Sequence, residues 1–458
     1  MMATEVRSPR LLAGVVVSIS LVVAVGGSLG SPLITAVASE YGVSFAAAQW
    51  TLTIALLAGA VATPVLGRLG SGPRRRTVIL VALGIVLAGS VVTVLPLPFG
   101  FLLAGRAAQG AGLGLNALMM ATARDHLDEQ HAARTIALLS VASTVGVGIG
   151  YPLAGLLTDL AGIRAAYGLG FVISAAALLA AVLVLPPAPA RPANRVDVLG
   201  GILLTVALVA LLLVISQTAL WRQHTPVAVG ILVFSLLVFA IWTIVEARTA
   251  KPLVDVRLLR HPAVAVANLV MLTGGIGMYL LLSLITRYVQ TPAAAGYGFG
   301  LNTFQAGLVL VPFSVLGFAA GRLVPGLRAK LGARTVLAAS TAVVLAAFVL
   351  FALARDQLFE PVLAMSILGF GVGAFSAAMP AVILAATPAA ETASAMGVNQ
   401  VVRSVGFSIG SALGGLILAA HTEDVFPSTS GYGVAAWTGV VTMTVTLFIV
   451  AVLYPKRG

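Results

Sequence analysis

No cysteine occurs in the 458 residues. Disulfides, thiolate metal sites and cysteine nucleophiles are excluded together. Charge is almost as scarce: Asp, Glu, Lys and Arg make up 9% of the chain, where a soluble domain carries roughly 25%. The histidines, His126, His131, His224, His261 and His421, sit at the edges of apolar runs and form no ligand cluster. A P-loop, a His-Glu-x-x-His pair and a glycine-rich nucleotide turn after a strand are all missing. No metal and no cofactor is therefore expected, and nothing points to primary active transport or to an enzyme. The pattern Gly-x-Ser-x-Gly does occur, at Gly406–Gly410, but a hydrolase elbow needs a strand-to-helix turn, and this stretch lies inside an apolar run.

Hydrophobic residues fill the space, at 60% of the chain, with a mean hydropathy of +1.08. Most of the surface must face lipid. The 49 glycines suit close helix packing, since a bilayer supplies no hydrophobic drive between helices. A spanning helix needs about 20 mostly apolar residues. Stretches of that kind fall at 11–35, 46–66, 77–96, 99–122, 135–158, 165–186, 198–216, 227–247, 262–286, 304–325, 334–354, 359–385, 395–420 and 435–454, which predicts fourteen crossings. The first follows Arg7 and Arg10 and is longer than the roughly 7–15 residues of a signal-peptide core, so it reads as an uncleaved span.

The net charge of +12 does not require nucleic acid as a partner. With the N-terminus in the cytoplasm, only Arg164, Arg222, Arg287 and Arg355 fall on the far side, and only Arg106 and Arg403 fall within spans. All other Lys and Arg lie in cytoplasmic segments, as expected of a bacterial-type inner membrane protein with both termini inside. A repeat is also legible. Gly67-Arg68-Leu69 and Arg76-Thr77-Val78 flank the second loop, and Gly321-Arg322-Leu323 with Arg334-Thr335-Val336 echo them. The spans thus read as two parallel six-helix copies, 1–190 and 262–458, with a linker of two inserted spans at 191–261. Parallel repeats of this kind bind substrate near the midplane between halves.

The acidic residues all sit in loops or at span ends, so no carboxylate is placed mid-membrane. The intramembrane charges are arginines, which are functional candidates because burying them is costly. Arg106, Gln109 and Asn116 share a face of the fourth span, as do Asn399, Gln400 and Arg403 on the thirteenth. Gln49, Trp50, Tyr151, Asn268, Tyr279 and Gln305 are further candidates to face a cavity. For each of these, helix–helix hydrogen bonding is the competing role. The fifth span carries Gly146, Gly148, Gly150 and Gly155 around Pro152. Those residues predict a smooth helix face with a bend.

These stretches together resemble the major facilitator superfamily, and within it the fourteen-helix drug:proton antiporter branch. Gly67–Arg76 is similar to its loop signature, Leu103–Gly110 to its fourth-span motif, Gly150–Gly155 to its antiporter motif, and Gly397–Gly414 to its thirteenth span. The resemblance implies an all-α polytopic fold of two six-helix bundles plus two inserted helices, alternating access, and export of amphipathic compounds by a monomer. It implies a functional role for Arg106, a hinge at Pro152, and a charge clamp of Arg74, Arg75 and Arg76 with Asp125 or Asp128. The chain departs from the pattern where an aspartate is expected and Ser71 stands, and where the first span, Val22 to Ser31, holds no acid. Proton coupling is thereby left open. An uncoupled facilitator, or a non-transporting lipid-handling or receptor protein of the same fold, is the alternative. An acid-poor cavity with two arginines tilts the expected substrate toward anionic or neutral lipophilic molecules.

Overall fold

The structure is a computed structural model. It describes residues 9–29, 33–43, 45–70, 72–187, 197–216, 218–249, 252, 256–257, 261–385, 387, 392–422 and 426–453. In a bilayer the backbone must satisfy its own hydrogen bonds, and the described residues do this by helix. In chain order the helices are α1 (Pro9–Ser28), α2 (Ile34–Tyr41), α3 (Phe45–Leu69), α4 (Arg75–Val94), α5 (Phe99–Gly110), α6 (Leu115–His126), α7 (Glu129–Val184) and α8 (Val198–Ser216). Then come α9 (Thr218–Gln223), α10 (Thr225–Arg248), α11 (Pro262–Gln290), α12 (Thr303–Leu331), α13 (Ala333–Leu353), α14 (Phe359–Ala385), α15 (Thr392–Ala420) and α16 (Thr429–Val452).

Twelve of the described helical segments are long and apolar enough to cross a membrane, against the fourteen expected. The difference has two local causes. The expected fourth span is split: a 3-10 turn at Ala111–Gly114 separates α5 from α6, which hold 12 residues each. Glycines permit this turn to press on α3. A Cβ at Gly114 would lie 2.9 Å from the Thr63 Cα, and one at Gly110 would collide with the Ala55 carbonyl. The expected fifth and sixth spans both fall within α7, as two helical stretches that meet at a kink of non-helical backbone at Ala161 and Gly162 (φ 78°). The break lies in the gap expected between those spans, at a glycine able to adopt positive φ. The first span is also shorter than expected, ending at Ser28 with α2 as a separate helix.

The helices pack as two sets, α1 with α3–α7 and α11–α16, while α8 and α10 pair with each other and lean on α3 and α15. Outward faces are apolar: Val441, Val445, Phe448 and Val452 form an exposed stripe on α16, at the i, i+4, i+7 spacing of one helix face. The repeat has a structural counterpart. Arg76 at the start of α4 donates to the Val182 carbonyl in the last turns of α7, at 2.8 Å. Arg334 at the start of α13 donates to the Ala451 carbonyl in the last turn of α16. Each places a cation on the negative end of a helix dipole. The other half of the repeat does not superpose: Gly321–Leu323 lies inside α12, which continues to Leu331 and leaves only Gly332 before α13.

Candidate functional site

The two sets meet along α7 and α12. Small residues line this seam: a Cβ at Gly307 would lie 2.8 Å from the Pro152 nitrogen, and one at Gly155 3.1 Å from the Phe304 Cα. Beside the seam lies a cavity at the meeting of both sets. Asn116, Ala117 and Met120 of α6 and Ser140 of α7 face Met271 of α11, Ser376 and Pro380 of α14, and Met396, Asn399, Gln400 and Arg403 of α15 across it. Its volume is about 20 Å³, enough for a water molecule, which needs roughly 10–15 Å³, and far below the 300 Å³ or so of a ligand pocket. The molecule is closed around its centre.

The lining mixes polar and apolar side chains. Among the described residues Arg403 is its only charged one. The guanidinium carbon lies 5.7 Å from the centroid of Phe407, one turn along α15, and Phe407 in turn packs on Tyr279 at 5.3 Å. Asn399 Nδ2 donates to Asn268 Oδ1 at 3.2 Å, and Asn268 Nδ2 to the Val264 carbonyl at 3.0 Å. Asn116 Oδ1 accepts from Ser20 Oγ of α1 at 2.9 Å. Cavity walls are thus braced from the second row of helices.

Arg106 is placed elsewhere. It is fully buried and donates to the carbonyls of Thr51 (3.1 Å), Gly26 (3.0 Å) and Gly27 (3.4 Å), and to Gln109 Oε1 (2.7 Å). Gln109 Nε2 donates onward to Ser90 Oγ at 3.0 Å and to Thr93 Oγ1 at 3.3 Å. Neither residue lines the cavity. This network ties α1, α3, α4 and α5 of one set.

The remaining expected residues are scattered. Trp50 packs into the apolar cluster of Leu57, Ala60, Leu204, Leu208 and Trp242, against the inserted pair rather than the cavity. Gln305 is exposed at the start of α12, where it forms a capping box with Asn302. Tyr151 is half-buried against the main core. Gly146 and Gly150 are buried within α7. The Gln49 side chain and Ser71 lie outside the described residues. Ser140, Ser376, Met120, Met271 and Met396 were not singled out from sequence. Serines and methionines are ordinary core residues of membrane helices, and only the packing distinguishes these.

The two sets touch one another toward both ends of the helices that line the cavity. At the end where α6 stops, Arg124 reaches from one set to the other. It donates to Thr392 Oγ1 at 2.7 Å and to the carbonyls of Thr387 (3.1 Å) and Leu384 (3.3 Å). These groups belong to the C-terminal end of α14 and the N-terminal end of α15. The expected clamp is present nearby, between Arg75 and Asp125 at 2.6 Å, with both side chains nearly fully buried. Arg75 also donates to the Gly70 carbonyl at 2.8 Å. Arg74 is exposed. Asp128 is not in the clamp: it caps α7, and the His131 backbone N–H holds its carboxyl below the usual range. At the opposite end, Gly155 on Phe304 closes the seam.

Among the described residues no acid lines the cavity. Exposed Glu40 faces Arg164 at 3.7 Å. Buried Glu246 of α10 and Asp197 at the start of α8 both crowd the place that a Cβ on Gly200 would take. Among the described residues no group of three His, Asp or Glu could hold a metal ion.

The sequence model described as the Major Facilitator Superfamily matches residues 16–411 and, in a second alignment, 277–458. An uncharacterized MFS-type transporter YvkA of Bacillus subtilis is 26% identical over 407 residues, 88% of this chain and 89% of that protein. The multidrug resistance protein Stp of Mycobacterium tuberculosis is 24% identical over 385 residues, 83% of this chain and 70% of its own. The cephamycin export protein CmcT of Amycolatopsis lactamdurans is 30% identical over 321 residues, 67% of this chain and 63% of its own. Among solved structures, the crystal structure of the human organic anion transporter MFSD10 (TETRAN) matches with a TM-score of 0.71, covering 96% of this chain and 99% of that one, at 15% identity. That last likeness is one of fold.

Proposed function

Because the chain belongs to the Major Facilitator Superfamily, we propose that it is a secondary transporter that exports small amphipathic compounds by alternating access. The observation that carries this reading is the small cavity at the meeting of two helix sets, with separate contacts between the sets toward its two ends. A cavity too small for substrate must open to one side at a time to admit it. The names of Stp and CmcT, a multidrug resistance protein and an export protein, support efflux as the direction.

The architecture we propose is the fourteen-crossing form of the fold. Residues 99–126 count as one crossing through α5, the 3-10 turn and α6, and α7 counts as two, on either side of Ala161 and Gly162. Residues 1–190 and 262–458 are the two bundles, and 191–261 holds the inserted pair. The end bearing Arg75, Arg76, Arg124, Arg328, Lys330 and Arg334 is assigned to the cytoplasm with both termini, since basic residues are retained there. The protein then works as a monomer in a bacterial-type inner membrane.

Coupling is the divided point. The drug:proton antiporter branch uses a membrane carboxylate, and the described residues of the cavity lining include none. That favours a second reading, an uncoupled facilitator. Flux of a fluorescent amphipathic dye in proteoliposomes, with and without an imposed pH gradient, separates the two. Export is expected in both conditions. Acceleration by a gradient identifies an antiporter, indifference a facilitator, and flux no greater than that of empty liposomes removes the transport reading.

A further inference from the structure

Sequence alone offers two intramembrane arginines to a substrate, and the structure separates them. Arg106 holds three carbonyls and Gln109 away from the cavity, while Arg403 lines it. Among the described lining residues Arg403 carries the charge, and the other polar ones, Asn116, Ser140, Ser376, Asn399 and Gln400, are neutral. Three methionines also line it, a flexible side chain that fits apolar bodies of varied shape. Phe407 lies under the guanidinium, and Tyr279 backs Phe407. The guanidinium is within cation–π reach of that ring, and its donor fork suits a carboxylate or sulfonate.

We propose that the substrates are amphipathic organic anions, with the anionic head on Arg403 and the apolar body against Met120, Met271 and Met396. This rests on the transport reading and names the substrate class of the same cavity. Opening at either end exposes a chamber whose described lining carries one charge, that of Arg403. A positive chamber raises the local concentration of anions and depresses that of cations. Discrimination comes from the sign of that charge, so a cation of equal size and lipophilicity is rejected.

The test uses the full chain in proteoliposomes and two xanthene dyes of similar shape, anionic fluorescein and cationic rhodamine 123. Fluorescein is expected to move at least about tenfold faster than rhodamine 123. In Arg403→Gln, fluorescein flux falls about tenfold or more, while Arg403→Lys retains part of it; thermal unfolding in detergent controls for folding. Should Arg403→Gln fail to fold, the wild-type ratio of the two dyes decides. Rhodamine 123 moving as fast as fluorescein overturns the inference and leaves the transport reading standing. So does fluorescein flux that is unchanged in a folded Arg403→Gln. Absence of flux for both dyes overturns the two readings together.

Discussion

Arg106 and Arg403 are the same residue type and both lie within apolar helices, yet their surroundings assign them different work. Arg106 is 0% exposed and holds backbone carbonyls from α1 and α3. Removing a buried partner of this kind leaves each acceptor unsatisfied at a cost of roughly 1–3 kcal/mol. Arg106→Gln is therefore expected to lower the unfolding temperature in detergent by several degrees, with flux falling only as far as folded protein is lost. A variant of normal thermal stability with abolished flux would instead put Arg106 in contact with substrate. The Arg75–Asp125 pair makes a sharper stability prediction. Both partners are buried, and breaking such a pair from one side costs about 3–5 kcal/mol, while replacing both with apolar groups is near neutral. Arg75→Met is expected to be markedly less stable than Arg75→Met combined with Asp125→Leu, as measured by unfolding temperature. Equal losses would mean that the pair adds nothing beyond the hydrogen bond to Gly70.

At the scale of helices, the crossing between sets is built from small residues and closed by hydrogen bonds that can be remade. Arg124 is the bond donor at one end, meeting the carbonyl end of α14 and Thr392. A charged hydrogen bond contributes about 1.5–3 kcal/mol, so its loss shifts the closed–open balance by about tenfold or more. Arg124→Gln is expected to speed maleimide labelling of Ser140→Cys from the Arg124 end by that factor. The chain's lack of native cysteine makes this label unambiguous. Unchanged labelling would show that the Arg124 contacts do not gate the cavity. Most helices were legible in the sequence because twenty apolar residues bounded by charge have one stable form in lipid. The 3-10 turn at Ala111–Gly114 depends on which neighbours press against its glycines, information that hydropathy does not carry. The kink in α7 falls instead at Gly162, which takes positive φ with open space beside it. Gln305 was misplaced because a glutamine three residues after an asparagine closes a capping box, and that local pattern outweighed its expected place on a cavity wall. Of the cavity, the α15 face was legible from helical spacing; Asn116 lines it without Arg106 and Gln109, from which the 3-10 turn at Ala111–Gly114 separates it. The serines and methionines opposite were not, because only tertiary packing brings them there.

For the whole molecule, the account makes α7–α12 and α3–α15 the surfaces about which two bundles move, with a closed centre between them. The paired contacts Arg76 to Val182 and Arg334 to Ala451 tie the third helix of each copy to its last. Each set is thereby braced internally and can move as a unit. The most direct test of that central claim is a pair of distances by double electron–electron resonance. One spin-label pair sits at the Arg124 end, on Arg74→Cys and Leu331→Cys, and the other at the opposite end, on Leu160→Cys and Leu353→Cys, all exposed positions. Adding Arg124→Gln is predicted to lengthen the first distance and shorten the second. Two distances that stay fixed, or that lengthen together, would contradict alternating access by rigid bundles.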